Sequence, residues 1–160
     1  MPGSITGSRF GRRCDAALRE NEMIGIVVVT HGRLGEEMVR TLNGVLGPVP
    51  ALSAVSSTEK DPEVVRGEIR RTVEHVDDGD GVLVLTDMLG DTATNLSLTV
   101  AEASRAEVVA GVNMPMLVKA ASARGIMGLR EFAGFIREYG RDHIFWASER
   151  GRSTAGAARR

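Results

Sequence analysis

The feature that most constrains this chain is a repeated change of hydrophobic rhythm. Residues 24–29 read IGIVVV, an apolar run without alternation and rich in β-branched side chains. That is the pattern of a strand covered on both faces. From Leu34 the apolar residues Leu34, Met38, Leu42 and Val45 recur at helical spacing, which predicts a helix with those four on one face. The same switch returns along the chain. VPALSAVSS (49–57) reads as a second, weaker strand. Asp61 then suits an N-cap and Pro62 a first helical position, with Val65, Ile69 and Val73 following at helical spacing. The turn DDGDG (77–81) leads into a third strand, GVLVLTDMLG (81–90), and a helix, DTATNLSLTVAEAS (91–104). A fourth strand with its exit loop covers AEVVAGVNMP (106–115), and two helices divided near Gly125 come next. DHIFWASE (142–149) reads as a last short strand. The β–α alternation predicts a doubly wound α/β fold with helices on both faces. Its sheet is mainly parallel in the order 2-1-3-4, with a short C-terminal edge strand.

At 160 residues, with 42% hydrophobic and 26% charged residues, the chain fits one ordinary globular domain. We place that domain at 23–149. Residues 1–22 have little periodicity and are read as a disordered or leader segment, and 150–160 as a basic disordered tail. The net charge of -1 is uneven: residues 1–20 carry +2 and 150–160 carry +4, which leaves -7 for 21–149. A mildly acidic centre does not suggest nucleic acid as a partner. No apolar run is long enough for stable membrane insertion, and no secretory pattern opens the chain, so a cytoplasmic location is expected. Cys14 is the single cysteine, which precludes an internal disulfide and reads as a free surface thiol. No Cys and His cluster has zinc spacing.

Strands one and three end alike, in VVVTHG and VLVLTDMLG. In the order 2-1-3-4 they are neighbours, and their C-terminal ends flank the crevice where open α/β sheets bind ligands. His31 and Asp87 then fall within reach of each other. A carboxylate on one ring nitrogen leaves the other as a nucleophile. The plainer alternatives are a turn histidine and an aspartate that caps a turn. GDTATN (90–95) sets Gly90 and Thr92 at a helix start, where backbone N–H groups and a hydroxyl can hold an anion; the plainer meaning is an N-cap. There is no Walker sequence and no G-x-G-x-x-G after strand one. His75 and His143 are read as solvated or structural. Phe145 and Trp146, adjacent in a strand, point to opposite faces, one to the core and one to a subunit interface.

The segments MIGIVVVTHGRLGEEMV, GVLVLTDMLGDTATN and VVAGVNMPML, in that order between Met23 and Glu149, resemble the mannose-family IIA domain of the bacterial sugar phosphotransferase system. The resemblance implies a phosphohistidine carrier in a doubly wound α/β domain. His31 would accept phosphate from the phosphocarrier protein HPr and pass it to a IIB component. Asp87 would orient the imidazole, Thr92 would lie close to the phosphoryl group, and Asn113 to Met116 would form the loop beside the site, with Asn113 and Met114 as its site residues. It also implies a homodimer that exchanges a terminal strand, for which DHIFWASE is the candidate, and neither cofactor nor metal. Family members often read DLFGGSPCN where this chain has DMLGDTATN, so Asp91 stands at the second glycine and Ala93 at the proline. Charge at Asp91 opposes a phosphoryl group unless the side chain caps its helix with an outward rotamer, which is the rotamer expected. The competing readings are a receiver phosphorylated on Asp87, a His–Asp hydrolase, and a regulatory binding module switched by phosphorylation of His31.

Overall fold

The computed structural model describes residues 23–58 and 61–149. The readings given above for 1–22 and 150–160, and for Cys14, lie outside the described residues. Four strands, β1 (Gly25–Thr30), β2 (Leu52–Ser56), β3 (Val82–Thr86) and β4 (Ala106–Ala110), form one sheet in the order β2-β1-β3-β4. All three pairings are parallel. Five helices connect and follow them: α1 (Leu34–Leu46), α2 (Pro62–Val76), α3 (Thr92–Glu102), α4 (Met114–Ala123) and α5 (Leu129–Asp142).

The unalternating apolar runs are explained by two cores, one on each side of the sheet. Ile24, Ile26, Val28, Leu83 and Leu85 face α1, α4 and α5. Val27, Val29, Val82 and Val84 face α2 and α3. Each central strand must be apolar on both pleats, since helices cover both. Asp61 caps α2, its Oδ1 accepting from the Glu63 amide at 2.8 Å, and Val65, Ile69 and Val73 are all buried. Among the described residues no helix is long and apolar enough to cross a membrane.

On the face predicted for α1, Met38 and Leu42 are buried while Leu34 and Val45 are exposed. Two expectations are corrected. Helix α4 begins at Met114, inside what was read as an exit loop. Asn113 caps it, and Pro115 sits in the first turn, where its missing N–H costs nothing. The C-terminal edge strand is absent: residues 144–146 have no regular structure and 147–149 are helical. The reason is local. The His143 ring stacks on Tyr139 with centroids 3.7 Å apart, and its Nδ1 lies 2.7 Å from the Tyr139 carbonyl. The ring and its hydrogen bond hold His143 against the last turn of α5, and no strand follows over 144–149.

Candidate functional site

Both central strands end on a buried threonine whose hydroxyl pins the loop that follows. Thr30 Oγ1 accepts the Gly35 amide at 2.7 Å and so draws the turn 31–33 back over the end of β1. Gly32 takes the left-handed φ of +51° within that turn, and its amide donates to Thr58 Oγ1 at 2.6 Å. Thr86 Oγ1 lies 2.7 Å from Thr94 Oγ1, and the Thr94 hydroxyl donates to the Met88 carbonyl at 2.5 Å. Segment 87–91 is thus fastened to α3 at one end and β3 at the other. Val29 of β1 pairs with Thr86 of β3, so the register carries His31 and Asp87 to the same edge of the sheet.

Asp87 Oδ2 accepts two hydrogen bonds from His31, one from its backbone N–H and one from its ring Nδ1, each at 2.9 Å. Its Oδ1 accepts the Met88 amide at 3.1 Å. A carboxylate accepts and does not donate, so Nδ1 carries the proton and Nε2 keeps a lone pair; the tautomer is assigned from this network. The His31 side chain is 45% exposed while that of Asp87 is 12% exposed. The hydrogen bond and charge of Asp87, with a smaller contribution from Asp91, outweigh desolvation and raise the imidazole above its ordinary pKa. Burial pushes the Asp87 carboxyl up, but the backbone and ring hydrogen bonds and the charge of His31 together hold it below the usual carboxylate value.

Asp91 does not take the outward rotamer. Its side chain is 9% exposed, with Oδ2 only 3.3 Å from His31 Nδ1. Oδ1 caps α3 by accepting the Thr94 amide at 2.7 Å, which swings the second oxygen inward over the imidazole. That Oδ2 is buried with no hydrogen-bond partner, because the Nδ1 proton is directed at Asp87. Ligating atoms of His31, Asp87 and Asp91 all lie within 4.8 Å of one another.

Gly90 adopts a left-handed φ of +86° beside this group and is exposed. Thr92, also exposed, is the first residue of α3, whose opening amides point out of the helix. Asn113 is placed differently. Its Oδ1 accepts the Met116 amide at 2.9 Å and its Nδ2 donates to the Gly140 carbonyl at 3.2 Å, which ties α4 to α5. Met114 packs partly buried against the core beneath α4. His75 is exposed on α2, and His143 is held by Tyr139. Thr30, Thr86 and Thr94, which fix the geometry, were not singled out from the sequence. The one signal for the first two was the threonine that precedes both His31 and Asp87.

Residues 25–136 match the family model EIIA-man, described as PTS system fructose IIA component. The PTS system mannose-specific EIIAB component of Escherichia coli strain K12 is 32% identical over 103 residues, which cover 63% of this chain and 32% of that protein. The transcriptional regulatory protein LevR of Bacillus subtilis strain 168 is 32% identical over 73 residues, 45% of this chain and 8% of that protein. The chain therefore spans about a third or less of the length of these relatives. Phosphotransferase system component EIIA from Streptococcus agalactiae superposes with a TM-score of 0.73 at 24% identity, over 79% of this chain and 99% of that one. This last likeness is one of fold.

Proposed function

Because the chain belongs to the EIIA-man family of phosphotransferase-system IIA components, we propose that it is a phosphohistidine carrier that takes a phosphoryl group from HPr on Nε2 of His31 and hands it to a IIB component. One observation carries the choice of atom: Asp87 occupies Nδ1, and the half-exposed ring leaves Nε2 with its lone pair. Nε2 attacks phosphorus, the P–N bond of phospho-HPr breaks, and the donor imidazole leaves with its electron pair. The His31 ring gains positive character as the new bond forms, and Asp87, fixed beforehand by the His31 and Met88 amides, stabilises it. Gly90 and Thr92 would receive the phosphoryl oxygens, using amides at the N-terminus of α3. Little else is required, since phosphoryl transfer depends mainly on positioning and electrostatics.

Incubation of the full chain with phosphorylated HPr tests this reading. The expected product is an acid-labile, alkali-stable label that His31→Ala abolishes. Label that persists in His31→Ala, or that resides on Asp87, overturns it. A second reading, a regulatory module switched by phosphorylation of His31, is favoured by the likeness to LevR and by the carboxylate of Asp91 beside the ring. Transfer from the phosphorylated chain to a IIB protein supports the carrier, whereas label that stays on His31 supports the switch.

A further inference from the structure

Asp91 poses a problem that the phosphoryl reading does not solve. A carboxylate oxygen buried without a hydrogen bond is costly and is rarely left so. Asp91 Oδ2 is in that state, at 3.3 Å from an Nδ1 whose one proton serves Asp87. Protonating the imidazole does not help, since the new proton goes to Nε2 and Nδ1 still has one hydrogen to give. A cation bound between the three side chains would satisfy both carboxylates.

We propose that His31 Nδ1, Asp87 Oδ2 and Asp91 Oδ2 bind a divalent transition-metal ion of the zinc or cobalt type, and that this metal and the phosphoryl group exclude each other. Ligands about 2.0–2.1 Å from a tetrahedral zinc ion stand roughly 3.3 Å apart. The separation from Nδ1 to Asp91 is 3.3 Å already, and that to Asp87, 2.9 Å, has to open only slightly. One imidazole and two carboxylates suit zinc or cobalt, whereas calcium and magnesium prefer oxygen alone. Two carboxylates and a neutral ring also balance the charge of a divalent ion. Both carboxylates are oriented from behind: Asp87 by the His31 and Met88 amides, Asp91 by the Thr94 amide. Thr86 and Thr94 fix the segment that carries both acids. The exposed side of His31 leaves the remaining coordination positions to water.

The exclusion follows from the tautomer. Metal on Nδ1 takes that nitrogen's lone pair, so the ring's one proton leaves Nδ1 for solvent and Nε2 gains one. Nε2 then has no lone pair with which to attack phosphorus. Phosphorylated on Nε2 and held by Asp87, the ring keeps its proton on Nδ1 and has no ligand to offer. This exclusion rests on the phosphoryl reading; the metal site does not.

The test is titration of the chelator-stripped full chain with cobalt(II), followed by visible ligand-field absorption. One saturable equivalent is expected. Asp91→Asn, which keeps a capping oxygen for Thr94, should weaken binding at least tenfold with unchanged circular dichroism, and His31→Ala should abolish it. Cys14→Ser, His75→Ala and His143→Ala should bind as wild type does. Absence of a saturable signal, or equal affinity in wild type and Asp91→Asn, overturns the site. In a second arm, zinc should slow labelling of wild type by phosphorylated HPr and spare Asp91→Asn, with EDTA restoring the wild-type rate. Labelling that zinc leaves untouched overturns the exclusion. If HPr fails to label the metal-free chain, the phosphoryl reading falls and the cobalt titration still decides the metal site.

Discussion

His31 faces two carboxylates through a single ring nitrogen, and this decides how the site answers pH. Its pKa is raised above 6.5, chiefly through Asp87. In the proposed transfer the neutral ring is the nucleophile, so in chelating buffer the rate of labelling should climb with pH through a window above 6.5. The stability that the charged ring contributes runs the other way. It is fully present below the unfolded value near 6.5 and is lost as pH rises through the folded value. Asp91→Asn should lower the midpoint of the His31 ring in an NMR titration, and Asp87→Asn should lower it further, in keeping with the order of their contributions. A midpoint that stays put or rises in Asp91→Asn would contradict the inward rotamer. Asp87→Asn should also slow labelling by about tenfold or more, the scale of one unit of lost electrostatic preference. An unchanged rate would make Asp87 a turn residue. The nearness of His31 and Asp87 was legible in the sequence because two apolar runs end in the same Thr-polar pattern. The direction of Asp91 was not, because a capping aspartate has two oxygens and the sequence does not say where the second one goes.

The strands and helices around the site depend on a few close approaches. Gly25 opens β1 where a Cβ would lie 2.4 Å from the Val76 carbonyl oxygen at the end of α2. Backbone cannot yield as a flexible side chain can. Gly25→Ala should therefore destabilise the fold by roughly 1–3 kcal/mol, read from the midpoint of denaturant unfolding. Thr94→Val should cost about 1–3 kcal/mol as well, since it strands the buried Thr86 hydroxyl and the Met88 carbonyl. It should also loosen segment 87–91, so that labelling falls along with stability; loss of neither would show that the threonine pair does not set the site. Helix α2 was easy to read because Asp61, Pro62 and a clean apolar stripe agree. The C-terminal strand was misread because Ile144, Phe145 and Trp146 have the composition of a strand. What is seen instead is a local contact, the stacking of His143 on Tyr139 at the end of α5, and β propensity yields to context of this kind.

The parallel sheet gathers its chemistry at one edge, where the central strands β1 and β3 deliver His31, Asp87 and, through α3, Asp91. The succession of strands and helices was legible because each β–α switch left a separate mark in the hydrophobic rhythm, whereas the order in which the strands pair leaves no such mark. Ile144, Phe145 and Trp146 are 75%, 52% and 65% exposed. We propose that a second copy covers them. Trp146 is the chain's one tryptophan, so its emission should shift to the blue as protein concentration rises, in step with a sedimenting dimer. Constant emission with a monomer at every concentration would contradict the homodimer. The carrier reading is tested most directly by ³¹P–¹⁵N coupling in ring-labelled protein after reaction with phosphorylated HPr, because it identifies the residue and the atom together. The expected spectrum has one phosphohistidine, on Nε2 of His31, with Nδ1 still protonated toward Asp87. Phosphorus on Nδ1, on His75 or His143, or on no ring nitrogen would contradict it.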